Sequence, residues 1–137
     1  KISILINNAA ISQEKAFLNI SDEDFDLMLR TNLRGPFIFC QEVLPHMAAS
    51  SWGRIVNISS IGGQWGGINQ VHYAASKAGL LNLTMSIAKN YSSLGITCNA
   101  VSPGLVKTDM AYREINSKEG FSSTDLTLIL LVKLGII

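Results

Sequence analysis

Only two cysteines occur in 137 residues, Cys40 and Cys98, and they stand outside any C-x-x-C spacing. That argues against a disulfide framework or a thiolate metal centre, and it leads us to expect two reduced, buried thiols in a cytoplasmic protein. His46 and His72 have no metal-ligand spacing either, so both are expected to be structural and no metal site is expected. Charge is sparse: 15% of residues are charged, and the net charge is +1. The basic residues are scattered, which leaves no electrostatic footprint for nucleic acid. No secretory signal pattern is visible. The longest apolar stretch, "LTLILLVKLGII", is too short to span a bilayer and carries Lys133, so no membrane anchor is expected. What the chain has in quantity is hydrophobic residues, 47% of the total, as in one ordinary globular domain.

The apolar residues fall into alternating elements. "ISILI" (2–6) is the short continuous run of a parallel strand covered on both faces. Ser21 followed by Asp22, Glu23 and Asp24 starts a helix, with a cap residue and acids at the positive end of the dipole. A second helix is predicted over 33–49, with Pro36 tolerated near its start. "GRIVNIS" (53–59) is a second strand, followed by the glycine-rich loop "SSIGGQWGGINQ". A long helix is predicted over 71–92, with Ala74, Ala78, Leu81, Met85 and Ala88 along one face, and Gly95 ends it. "ITCNAVS" (96–102) is a third strand, broken by Pro103-Gly104. Strand, helices, strand, helix, strand implies parallel strands joined by right-handed crossovers, an α/β layered fold.

In such a sheet, ligands bind beyond the carboxyl ends of the strands. The polar clusters fall there: Asn7-Asn8, Ser59-Ser60, and Pro103-Gly104 through Thr108. Asn32 lies near the junction of the first two helices, and Tyr73 and Lys77 share a face at the start of the long one. A lysine cation ~6 Å from a phenol, at an effective dielectric of ~20, favours the phenolate by about 2.8 kcal/mol, roughly two pKa units. That would bring a tyrosine into range to protonate a developing alkoxide. Ser60 could donate to the same oxygen, and the Asn32 amide could hold a water linking Lys77 to solvent. Taken singly, each residue also fits a surface helix, a turn or a helix-junction cap.

Together these residues resemble the classical short-chain dehydrogenase/reductase family. "INNAA" is similar to that family's NNAG element, "TNLRG" to its asparagine segment, "GRIVNISS" to its serine strand, "YAASK" to YxxxK, and "NAVSPGLVKTDM" to its PG loop. Asn32 and Ser60 are 28 apart, Ser60 and Tyr73 13, Tyr73 and Lys77 4. The look is nearest the 3-oxoacyl-[acyl-carrier-protein] reductase-like branch.

The resemblance implies a partial Rossmann-like, doubly wound parallel sheet of three α/β/α layers, of which this chain is the catalytic half. It implies a catalytic set of Asn32, Ser60, Tyr73 and Lys77. NAD or NADP would be bound through Asn8, Ala9, Tyr73, Lys77, Pro103, Gly104, Val106 and Thr108. The implied reaction interconverts a small-molecule ketone and a secondary alcohol, with a 3-oxoacyl thioester as one candidate substrate. A parent homo-oligomer, dimer or tetramer, would pair through the helices at 33–49 and 71–92.

There are departures from the family pattern. Ala10 replaces the NNAG glycine, no Gly-rich dinucleotide fingerprint precedes the first strand, and the segment after Glu119 is unlike the usual ending. We therefore expect one partial domain over 1–137, recognisable over 1–112 and atypical over 113–137, with both ends read as cut edges and the isolated piece inactive. The alternative is an inactive oligomerisation or interaction module. A hydrolase using Ser60 is a third reading, weakened by the absence of G-x-S-x-G. Trp65 is either a wall of the substrate site or loop packing.

Overall fold

The computed structural model describes residues 2–104 and the backbone of 129–130. Strand β1 (Ile4–Asn7) leads through a loop to α1 (Asp22–Leu29). Ser21 closes a reciprocal capping box with Asp24, as the acidic start of this segment dictates. A π-helical turn, Arg30–Arg34, joins α1 to α2 (Gly35–Ala49). The Gly35 N–H bonds back to Arg30 O, five residues away. Strand β2 (Gly53–Ile58), the short α3 (Gly62–Trp65), α4 (Val71–Tyr91) and β3 (Ile96–Pro103) follow. Gly95, at φ 74°, makes the left-handed turn into β3, where a Cβ would stand 2.1 Å from Ser51 O.

The sheet runs β1-β2-β3-β4, with β1, β2 and β3 parallel as the alternation implies. The two-residue β4 (Ile129–Leu130) adds antiparallel to the end of β3, giving the mixed edge common in open α/β sheets. Cys40, Val43, Leu44 and Met47 of α2 pack with Ile87 and Ala88 of α4 over Ile55, Ile96 and Cys98. Both long helices thus cover one sheet face, so the described residues build two adjoining layers of an α/β sandwich.

Two sequence expectations shift. The second helix begins at Gly35 rather than 33, because the chain passes first through the π turn. The buried face of α4 carries His72, Ala74, Ser76, Lys77, Leu80, Thr84, Ile87 and Ala88. Ala78, expected inside, is exposed, and Leu81 and Met85 are half-buried. Polar side chains face the sheet here, so the apolar stripe does not mark the inner face.

A polar ladder crosses the core. Asn7 Nδ2 donates to Asn57 Oδ1 (2.8 Å), Asn57 Nδ2 donates to Thr84 Oγ1 (2.8 Å), and Thr84 Oγ1 donates to Leu80 O (2.7 Å). Cys40 and Cys98 are free and buried beside it. Burial pushes their thiols up to about 11 and about 12, so both stay protonated at neutral pH.

Candidate active site

The site forms where β2 ends and α4 begins. Lys77, only 3% exposed, donates from Nζ to Ile58 O (2.7 Å), and Nζ lies 5.8 Å from the Tyr73 ring centroid. Burial alone pushes its pKa down to about 8. The ammonium is therefore held on the strand end that leads to Ser60, and Tyr73 lies half-buried beside it.

Three contacts fix this corner. Ser59 Oγ donates to Lys77 O (2.9 Å), anchoring the helix backbone to the strand exit. Ser60 Oγ accepts from Gly62 N–H (3.1 Å), which turns the chain into α3. A Cβ at Gly63 would come within 2.8 Å of the Lys77 carbonyl carbon, so only glycine lets α3 lie this close to α4.

Asn32 sits fully buried in the π turn. Its Oδ1 accepts from Ile11 N–H and its Nδ2 donates to Ile11 O, both at 2.9 Å, so the amide pairs with Ile11 as a neighbouring strand would. Nδ2 also reaches Ser76 Oγ (3.1 Å), which in turn donates to Tyr73 O (2.7 Å). Both ends of this amide are thus engaged by protein groups.

The expected site residues are therefore brought together unevenly. Ser60, Tyr73 and Lys77 gather at the junction of β2, α3 and α4, while Asn32 reaches Tyr73 through Ser76. Asn8 and Ala9 are exposed at the exit of β1. Pro103 accepts from Ile61 N–H (3.0 Å), which places it and Gly104 beside the Ser60 turn. Val106 and Thr108 lie outside the described residues. Ser59, named from the sequence only as half of a polar pair, is a positioning group, and so are Gly63 and Ser76, which the sequence did not single out; the small residues spaced through "SSIGG" and "YAASK" were their only signal. Trp65 is 68% exposed.

A separate groove of about 610 Å³ lies between Asp26, Arg30, Leu33, Phe37 and Leu83, on the helical face away from this corner. Among the described residues no three metal-ligating side chains cluster, and no helix is long and apolar enough to cross a membrane.

Comparison with known proteins matches residues 1–119 to the short chain dehydrogenase family. A 3-oxoacyl-[acyl-carrier-protein] reductase of Aquifex aeolicus is 46% identical over 109 residues, which make up 80% of this chain and 44% of the relative. The solved structure described as ElxO with NADP bound superposes with a TM-score of 0.81 at 36% identity, over 92% of this chain and 51% of that one. A 4-hydroxyisoleucine dehydrogenase mutant complexed with NADH and succinate gives a TM-score of 0.80 at 34% identity, over 85% and 48%. The chain spans about half the length of the proteins it matches.

Proposed function

Because the chain belongs to the short-chain dehydrogenase family, we propose that it carries the catalytic half of a reductase interconverting a ketone and a secondary alcohol with NAD or NADP. The observation that carries this reading is the buried Lys77 ammonium held 5.8 Å from the Tyr73 ring. Tyr73 donates the proton to the substrate oxygen as that oxygen gains charge, and the neighbouring cation stabilises the phenolate left behind. Ser60 donates a hydrogen bond to the same oxygen. Asn32 acts by position, holding the β1 exit loop and the start of α4 together.

The residues fit the nicotinamide end of the cofactor. Lys77 has three N–H donors, one of them on Ile58 O, and the remaining two suit ribose hydroxyls. When bound, the cofactor supplies the hydride. The 137 residues contain no G-x-G-x-x-G turn to cradle a pyrophosphate. These residues alone are therefore expected to bind NADH and NADPH weakly and to turn over little. The likeness to a 3-oxoacyl-[acyl-carrier-protein] reductase favours a 3-oxoacyl thioester as substrate.

In the intact gene product, Tyr73→Phe should lower kcat for reduction of an acetoacetyl thioester by about 10² or more. Retained turnover would overturn the assignment. Calorimetric titration of the 137-residue chain with each dinucleotide tests the second expectation, and tight binding would refute it.

A second reading, an assembly module without catalysis, is favoured by apolar side chains left in solvent: Phe37, Ile38 and Phe39 on α2, and Ile4 and Ile6 on β1. A turnover assay of the intact gene product separates the two, because reduction that Tyr73→Phe removes excludes a module without catalysis.

A further inference from the structure

The helix that carries Tyr73 begins without the usual support: its N-cap residue, Gln70, makes no side-chain cap hydrogen bond, and its first turn has no acidic residue. Its second residue, His72, is fully buried. His72 Nε2 lies 2.9 Å from Gln13 Oε1, and Gln13 Nε2 donates to Asp24 Oδ1 (3.1 Å). Asp24 is also paired with Lys15 and accepts from Ser21 N–H in the capping box of α1. Lys15 N–H donates to Asn69 O (2.7 Å), tying the same loop to the residues just before α4.

The chemistry fixes the direction of this chain. A carboxylate can only accept, so Gln13 turns its NH2 toward Asp24 and its carbonyl toward His72. His72 must then donate from Nε2, which selects the Nε2–H tautomer and leaves Nδ1 as a bare acceptor. Nδ1 is buried with no hydrogen-bond partner among the described residues. A proton there would bury both an unpaired donor and a charge.

We propose that Asp24, Gln13 and His72 form a positioning relay for Tyr73, in which the anchored start of α1 substitutes for the missing cap of α4 and holds the first turn, and with it the phenol, against Lys77. The proposal rests on the reading of Tyr73 as proton donor, but it makes its own claim about where that side chain is held. Burial lowers the His72 pKa from its ordinary value; Asp24 of α1 opposes that shift, and Lys15 of the β1 exit loop adds to it. Burial thus favours the neutral imidazole that the donor direction of the relay requires.

The chain contains two histidines and three tyrosines, so nitrogen-15 spectra of the imidazoles and carbon-13 spectra of the phenols resolve each group. The wild-type chain should show His72 as the Nε2–H tautomer, with a midpoint below the ordinary imidazole value. In Gln13→Ala the tautomer preference should be lost. The Tyr73 midpoint should rise by about half a unit as the ring leaves Lys77. Lys15→Met, which leaves Gln13 and His72 in place, should raise the His72 midpoint. An Nδ1–H tautomer, or an unmoved Tyr73 in a folded Gln13→Ala chain, would overturn the relay. If Gln13→Ala fails to fold, an unmoved His72 in Lys15→Met does so instead. None of these readouts needs turnover, so the relay and the catalytic reading can fail separately.

Discussion

Burying an ammonium group is expensive, and among the described residues Lys77 Nζ has one carbonyl, Ile58 O, to offset the cost. A folded value of about 8 against 10.5 unfolded corresponds to roughly 3 kcal/mol of lost stability. The sign follows from linkage: between about pH 8 and 10.5 the unfolded chain holds the proton more tightly, so this group's contribution to stability rises with pH across that window. Below about pH 8 the penalty is complete. Lys77→Met should therefore stabilise the chain at pH 7 by about 1–2 kcal/mol, after loss of the Ile58 hydrogen bond, and the gain should fade above pH 10. Urea unfolding at both pH values measures this, and destabilisation at pH 7 would contradict it. On the proposed catalytic reading, the same change should abolish reduction by the intact gene product. The pairing of Tyr73 with Lys77 was legible from a spacing of four on a helix, but the burial was not. The apolar stripe on α4 pointed to Ala78, Leu81 and Met85, while Lys77 and Thr84 take the inner face because each has a polar partner waiting there.

Among the elements, the π turn at Arg30–Arg34 does what neither flanking helix could. Its extra residue per turn places Asn32 where the amide can pair with both backbone groups of Ile11, holding the β1 exit loop beside the helices. Asn32→Ala leaves the Ile11 N–H and C=O without their partner and should cost about 2–3 kcal/mol by denaturant unfolding, with faster hydrogen exchange at Ile11. A loss of a few tenths would mean that the turn holds its shape without the amide. "RTNLR" could not disclose this, because hydrophobic spacing does not distinguish a helix from a helix with one residue inserted. The capping box of α1 was readable from Ser21 and the acids after it. The link from Asp24 through Gln13 to His72 was not, since His72 lies 59 residues beyond Gln13 and such pairings exist only after folding.

For the molecule as a whole, the alternation of strands and helices disclosed the parallel order of β1, β2 and β3, because only helical crossovers connect neighbours in that way. It did not disclose β4, whose residues lie in a stretch with no strand alternation of their own. Among the described residues β1 is the edge of the sheet, and Ile2, Ile4 and Ile6 lie exposed along one side of it. Such an edge recruits further strands, so the chain should associate as its concentration rises. Ile6→Lys should suppress this in light scattering without loss of helix signal, and unchanged association would place the contact elsewhere, with α2 the next candidate. The ladder from Asn7 through Asn57 to Thr84 has a consequence for descent. Each amide finds its partner in the next, so a single replacement strands a buried polar group, whereas joint replacement by apolar residues need not. Homologous lineages should therefore change positions 7, 57 and 84 together or hold them together, and the three would be inherited as a single character.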